Sequence, residues 1–315
     1  MENNMSLPLD DRLRFGWMTA MGDAAQVREV VALAERAGLD SLWVGDHIAF
    51  AVPIMDPLLQ LAQAAVLSDR LLLGTSVYLL PLRHPVPVAK QVATLDRLCG
   101  GRLRFGVGVG GEFPNEYAAC GVPVRERGAR LSEGIEVLRK LWSGESVSHA
   151  GRFYPFADVR MLPPPVQPGG PPIWCGGRSP AALARAGRLA DGWVSYVVTP
   201  QMYRDALAAI AAAAAAAGRT LERFATAHLL FFRIDDSFEA AWDVAAAHLS
   251  ERYASDFRGP ARKYCALGRP ADIAARIAEF RAAGVRHLIL DAVSPAPERH
   301  AQIAQFAAEV LPLLR

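Results

Sequence analysis

The 315-residue chain has few cysteines, and no two of them are close together. They are Cys99, Cys120, Cys175 and Cys265, and no CxxC pair occurs. This pattern excludes a disulfide scaffold of the secreted type and the usual zinc-binding spacings. It is typical of a reduced protein, and we expect a cytoplasmic one.

Excess charge and long apolar runs are also lacking. The formal net charge is +2, and the basic residues are dispersed, so there is no electrostatic case for nucleic-acid binding. No uncharged apolar run reaches the length of a membrane span, and the N-terminus does not read as a signal peptide. Neither an internal repeat nor a linker divides the sequence. We therefore expect one domain over residues 1–315, without a membrane segment.

Short β-branched runs alternate with amphipathic helical stretches along the whole chain, which predicts parallel βαβ units. Eight strands, each followed by a helix, predict a (β/α)8 TIM barrel with insertions; two doubly wound halves are the competing layout. The strands are expected near Arg14–Met18, Ser41–Gly45, Leu71–Val77, Leu103–Val109, Pro172–Cys175, Trp193–Val197, Ala225–Arg233 and His287–Leu290.

Two stretches interrupt this alternation. Residues 143–171 contain a proline-rich run and predict an inserted hairpin and coil over one face of the barrel. Residues 252–269 form a second irregular excursion before the last strand. Because long structured loops are often functional, we expect both insertions to act as active-site lids.

The most informative motif follows the fifth predicted strand. That strand ends at Cys175, two glycines follow (Gly176 and Gly177), and Arg178 precedes a helix that Ser179 is suited to cap. Backbone N–H groups at such a helix N-terminus favour a phosphate, and an arginine adds a charge-assisted hydrogen bond. From these residues alone, a capped turn without a ligand is equally open.

The ends of the second and fourth strands carry further candidates. Asp46 and His47 follow the second strand, and an imidazole there can give or take a proton near neutral pH. Gly106, Gly108 and Gly111 formally match GxGxxG, but the first two fall inside the strand, which disfavours a Rossmann site. We interpret these glycines as places where a flat ring lies close to the backbone.

From about Phe15 to the C-terminus, the chain resembles the bacterial luciferase-like oxidoreductases, which are TIM barrels that use FMN or the deazaflavin coenzyme F420. The resemblance is densest over residues 42–47, 74–85, 101–116, 125–142 and 172–193. It implies that His47 and Glu112 handle protons beside the cofactor ring, and that the Ser76–Val77 peptide is cis. No metal is implied. The residues implied to bind the cofactor are Asp46, Gly74, Thr75, Ser76, Val77, Gly110, Gly111, Asn115, Cys175, Gly176, Gly177 and Arg178.

The resemblance leaves FMN and F420 open. The run Gly111–Glu112–Phe113–Pro114–Asn115–Glu116 matches the Gly-Glu-x-x-Asn-Glu pattern of many deazaflavin-dependent members. With FMN, we expect a monooxygenase that needs a flavin reductase as partner; with F420, a dehydrogenase or reductase without oxygen chemistry. A homodimer is implied in both cases.

The substrate is expected to be a small organic molecule. Candidate pocket aromatics suggest an apolar one: Trp17, Phe50, Tyr78, Trp193 and Tyr196. A packing role in the core is equally open for all five. Two other functions stay open, a flavin-binding protein without catalysis and a barrel enzyme of sugar-phosphate metabolism that holds a substrate phosphate at the paired glycines.

Overall fold

Eight parallel strands close into a barrel in the computed structural model, which describes residues 7–50, 52–111 and 113–314. The strands of the protein are β1 (Arg14–Met18), β2 (Ser41–Val44), β3 (Leu72–Thr75), β4 (Leu103–Val107), β5 (Ser146–His149), β6 (Phe156–Arg160), β7 (Ile173–Gly176), β8 (Gly192–Tyr196), β9 (Ala225–Ile234), β10 (Ala266–Gly268) and β11 (His287–Ala292). The barrel order is β1-β2-β3-β4-β7-β8-β9-β11, and β11 pairs again with β1. The predicted TIM barrel is confirmed, and each predicted strand agrees within two residues at either end.

Helices surround the barrel, and many begin at sequence signals that are visible in the chain. The helices are α1 (Ala24–Arg36), α2 (Pro57–Ala65), α3 (Pro85–Leu98), α4 (Pro114–Ala119), α5 (Arg127–Trp142), α6 (Pro180–Leu189), α7 (Pro200–Ala216), α8 (Phe238–Tyr253), α9 (Arg258–Tyr264), α10 (Pro270–Ala282) and α11 (Arg299–Gln305). Side chains of Asp23, Asp56, Ser179, Thr199 and Ser237 accept hydrogen bonds from the first turns of their helices. Such caps satisfy N–H groups that have no partner inside the helix.

Aromatic side chains fill the N-terminal half of the barrel. The rings of Trp43 and Trp174 stack with centroids 5.1 Å apart, and His287 meets both edge-on. Ser41 links the group, because its hydroxyl accepts from the Trp43 indole and lies 2.7 Å from the His287 ring. Gly74 makes room, since a Cβ there would lie 2.3 Å from the Trp43 ring. This half of the barrel is therefore a packed core that supports the opposite end.

Two buried imidazoles predict that the fold loses stability in acid. Burial lowers the pKa of His228 and of His287 to about 3, from an ordinary 6.5. Between these values the unfolded chain binds more protons than the folded one, so the free energy of unfolding falls as pH falls. The slope is about 1.4 kcal/mol per pH unit for each histidine.

Urea unfolding on both sides of the ordinary histidine pKa measures this effect. His228→Gln should make the dependence shallower, because one titrating group is removed. A free energy of unfolding that stays constant as the pH drops below the ordinary histidine pKa would contradict the prediction.

The segment 143–171 contains the expected hairpin, formed by β5 and β6, but its coil lies at the N-terminal end of the barrel. Gln167 donates to the buried Asp96 and to the carbonyl of Leu103, the first residue of β4. Only the hairpin turn reaches the other end of α3, where the Tyr154 ring meets His84. The prediction of a lid is wrong for this coil, because the segment joins a helix to the next strand, and such connections lie opposite the site.

The segment 252–269 is more regular than predicted. Helix α8 continues to Tyr253, α9 follows, and β10 pairs with the last residues of β9. This segment therefore lies at the C-terminal end of the barrel, on the side expected for a lid. Apolar residues of α8, such as Ala241 and Leu249, pack on Phe231 and other inward-facing strand residues there.

Within the described ranges, no helix combines the length and the apolar character that crossing a membrane requires. In the same part of the chain, no three His, Cys, Asp or Glu side chains are grouped so that they would hold a metal ion. All four cysteines are free.

Candidate active site

Four loops converge at the C-terminal ends of the barrel strands, an end called the mouth below. They follow β2, β3, β4 and β7, and they hold most of the predicted site residues. Contacts between them are direct: Asp46 bonds to the loop after β3, and Val77 packs against glycines after β4 and at the end of β7. The mouth is where active sites of this fold are built.

His47 is fixed by a carboxylate that the sequence interpretation did not single out. Its Nδ1 lies 2.8 Å from Oε1 of Glu116, which lies in the first turn of α4 and is 2% exposed. The other oxygen of Glu116 accepts from the backbone N–H groups of Ile48 at 2.6 Å and Ala49 at 3.2 Å. Because a carboxylate only accepts, Nδ1 carries the ring hydrogen and Nε2 is left for a ligand.

An open cavity adjoins His47. Its volume is about 350 Å³, and apart from His47 its lining residues are Ile48, Ala49, Phe50, Val52, Pro53 and Ile54. The Phe50 ring stacks on the imidazole with centroids 4.1 Å apart, and Phe113 meets the imidazole edge-on at 5.5 Å. The lining side chains other than His47 are apolar, but the cavity is open to solvent, and polar atoms make up more of its exposed wall than carbon does.

Asp46 is a supporting residue rather than an open ligand. Its carboxylate accepts from Arg83 at 2.6 and 2.8 Å and from the backbone N–H of Leu79 at 2.8 Å. A bidentate pair of this kind has fixed geometry. With its oxygens occupied and the residue 3% exposed, Asp46 holds the loop after β3 in place beneath the mouth.

Val77 occupies the centre of the glycine-rich side of the mouth. The Ser76–Val77 peptide is cis, as the resemblance implied. A Cβ added at Gly108 would lie 2.3 Å from Val77, one at Gly176 would lie 2.8 Å from it, and one at Gly106 would lie 1.9 Å from the carbonyl of Thr75. The interpretation that Gly106 and Gly108 receive a flat ring directly is therefore corrected. They make room for the loop of β3, which presents Val77 to the mouth.

Three predicted cofactor residues, Gly74, Thr75 and Cys175, are buried away from the mouth. Gly74 lies against Trp43, and the Thr75 hydroxyl donates to the Gly106 carbonyl at 2.7 Å with no exposed surface. Cys175 faces outward into the layer between strands and helices, where burial raises the pKa of its thiol to about 12. Alternation along a strand explains this, because neighbours of inward-facing residues point away from the barrel interior.

The turn after β7 joins a left-handed glycine to a capped helix N-terminus. Gly177 has a φ of 105°, and the Ser179 hydroxyl caps α6 by accepting from Ala182. Arg178 donates to the Val197 carbonyl at 2.6 Å, and its guanidinium lies over the Tyr196 ring. A left-handed glycine before a capped helix leaves N–H groups near the positive end of the helix dipole. The residues present therefore fit a phosphate group.

The loop after β4 closes another side of the mouth. Gly110 and Gly111 are both left-handed, with φ of 56° and 106°. A Cβ at Gly111 would lie 3.1 Å from the guanidinium of Arg127 at the start of α5. Asn115 is exposed on the first turn of α4. Glu112, predicted to act with His47, lies outside the described residues.

Most of the predicted pocket aromatics lie elsewhere. Trp17 is 1% exposed and packs outside the barrel against His300, and Trp193 packs outward against Tyr203. Tyr78 is buried beneath Arg83. Of the five aromatics named from the sequence, only Phe50 lines the cavity.

Sequence comparisons agree with this architecture. The model of the luciferase-like monooxygenase family matches residues 13–287. The chain is 31% identical over 318 residues to the F420-dependent glucose-6-phosphate dehydrogenase of Kineococcus radiotolerans, covering 90% of each. It is 36% identical over 220 residues to the F420-dependent hydroxymycolic acid dehydrogenase of Mycobacterium tuberculosis, covering 66% of this chain and 59% of the relative.

A solved structure has the same fold. A monooxygenase from Streptomyces bottropensis superposes with a TM-score of 0.80 at 26% identity, covering 95% of this chain and 99% of its own. The fold and the mouth define a barrel oxidoreductase. The chain belongs to the luciferase-like monooxygenase family, which has flavin-dependent and deazaflavin-dependent members.

Proposed function

We propose that the protein is an F420-dependent dehydrogenase that transfers a hydride between the coenzyme and the carbinol carbon of a small apolar alcohol. The observation that carries this proposal is His47, which is held by Glu116 with Nε2 available beside a cavity lined by apolar residues. The relatives at 31% and 36% identity, both named as F420-dependent dehydrogenases, support the choice of cofactor. The Gly-Glu-x-x-Asn-Glu run from Gly111 to Glu116 supports it as well.

Different loops of the mouth would bind different parts of the coenzyme. The turn Gly176–Arg178 would hold its phosphate, and Val77 with the loop Gly110–Gly111 would face the ring. F420 supplies a carbon centre that accepts or gives a hydride and does not react with oxygen as a flavin does.

His47 would handle the proton of the substrate. As the hydride leaves the carbinol carbon, the C–O bond becomes a carbonyl and the hydroxyl proton passes to Nε2 of His47. In the reverse direction the same nitrogen returns that proton to the carbonyl oxygen.

An FMN-dependent monooxygenase is the second candidate, favoured by the solved monooxygenase at 26% identity. That activity would require a flavin reductase as partner, which F420 chemistry does not. For either reaction we propose a cytoplasmic homodimer, and light scattering of the purified protein tests the oligomeric state.

Anaerobic turnover separates the two candidates. With F420 and a panel of uncharged secondary alcohols, we expect the visible absorbance of the coenzyme to fall as it is reduced, at the same rate with and without oxygen. Glucose 6-phosphate in the panel tests for a phosphorylated substrate instead. Activity only with reduced FMN and oxygen would contradict the proposed function and establish the second candidate.

A further inference from the structure

We infer that Glu116 is the positioning residue of this site, acting on the reaction through the tautomer of His47. This inference deepens the proposed function and rests on it. The two residues are 69 positions apart in the sequence and meet because the loops after β2 and β4 both end at the mouth.

The two oxygens of Glu116 have separate partners. Oε1 faces Nδ1 of His47, whereas Oε2 accepts from two backbone N–H groups, those of Ile48 and Ala49. A carboxylate that is 2% exposed is costly to bury unless it is paired, and these three donors satisfy it. Its orientation is therefore determined from both sides.

One consequence concerns the proton. With Nδ1–H donated to the carboxylate, Nε2 keeps the lone pair that receives a proton from the substrate. When His47 takes that proton, the carboxylate 2.8 Å away stabilises the imidazolium. The same arrangement of a carboxylate behind an imidazole selects the reactive tautomer in hydrolytic triads.

A second consequence concerns the cavity. Ile48 and Ala49 line it, and Oε2 of Glu116 holds their backbone. Glu116 thus holds the cavity wall as well as fixing the tautomer of His47. A useful variant must change the tautomer and leave the wall in place.

Glu116→Gln makes that separation. The amide has one accepting oxygen and one donating nitrogen. The two backbone N–H groups take the oxygen, which leaves the NH₂ group facing His47 and forces Nδ1 to become an acceptor. The cavity wall is kept while the tautomer is reversed. We expect kcat to fall by about 10²–10⁴-fold, with KM for the alcohol and the Kd for F420 changed by no more than about threefold.

A double-mutant cycle tests whether the effect passes through His47. In the His47→Ala background, Glu116→Gln should cost no further turnover, because the group it positions is gone. Glu133→Gln is the matched control: that carboxylate on α5 also accepts from two backbone N–H groups, those of Phe153 and Tyr154, and does not contact His47. Its kcat should equal that of the wild type.

Nitrogen NMR of the His47 ring gives a readout independent of turnover. The wild-type holoenzyme should show the Nδ1–H tautomer, and Glu116→Gln the Nε2–H tautomer. An Nε2–H tautomer in the wild type overturns the inference, as does a loss in the double variant equal to the product of the single losses. If wild-type protein shows the Nδ1–H tautomer but no F420-linked turnover, the proposed function fails and the placement by Glu116 stands.

Discussion

Replacing His47 with alanine should lower kcat by about 10²–10⁴-fold while F420 affinity stays near the wild-type value, the range typical for a lost acid–base group. The reason is geometric. His47 lines the cavity next to Phe50, and its Nε2 is the ring nitrogen that the bond to Glu116 leaves available. The phosphate cradle after β7 belongs to a different loop, so the variant should still bind the coenzyme.

His300→Ala is the matched control for this experiment. His300 also pairs through Nδ1 with a glutamate, Glu29, at 2.9 Å, but on the outside of the barrel. Its loss should leave kcat unchanged. Steady-state kinetics, together with F420 titration of each variant, measure both parameters. Wild-type turnover in His47→Ala would remove this histidine from the reaction.

Gly177→Val should weaken F420 binding by about 10–150-fold, the equivalent of one lost charge-assisted contact of about 1.5–3 kcal/mol. Gly177 has a φ of 105°, where a β-branched residue is strained, and a Cβ there would lie 2.9 Å from Ala182 in the first turn of α6. The backbone at the phosphate cradle must therefore shift. A form of the coenzyme without its phosphate should lose much less affinity.

Gly218→Val is the control for the effect of backbone strain alone. Gly218 is also left-handed, with a φ of 68°, and has open space around its Cα, at the far end of α7. That variant should lose stability without losing cofactor affinity. Equal weakening of the phosphorylated and dephosphorylated forms in Gly177→Val would place the phosphate elsewhere in the mouth.

The barrel was predictable because its signals are local. Alternating strands and helices specify the βαβ units, and a cap such as Ser179 marks the helix start. The sequence does not show which strand side chains point into the barrel and which point out toward the helices. Both faces of a parallel barrel strand are buried, so hydrophobicity does not say that Trp43 points inward and Trp17 outward.

The position of a candidate residue at a strand end was predictable from the sequence, whereas the pairing of two residues far apart in the sequence was not. His47 stands at a strand end and was found from that position. Its partner Glu116 and the Asp46 partner Arg83 depend on contacts between loops that the sequence does not reveal. The signal for Glu116 was its place at the end of the Gly-Glu-x-x-Asn-Glu run, in which the sequence analysis assigned site roles only to Gly111, Glu112 and Asn115.

Titration of the purified protein with F420 and with FMN tests the central claim most directly. The proposed phosphate site at Gly176–Arg178 suits either cofactor, whereas the dehydrogenase proposal requires F420. We predict saturable binding of F420, followed by its reduction when an uncharged secondary alcohol is added without oxygen. Saturable binding of FMN with no binding of F420 would contradict the account.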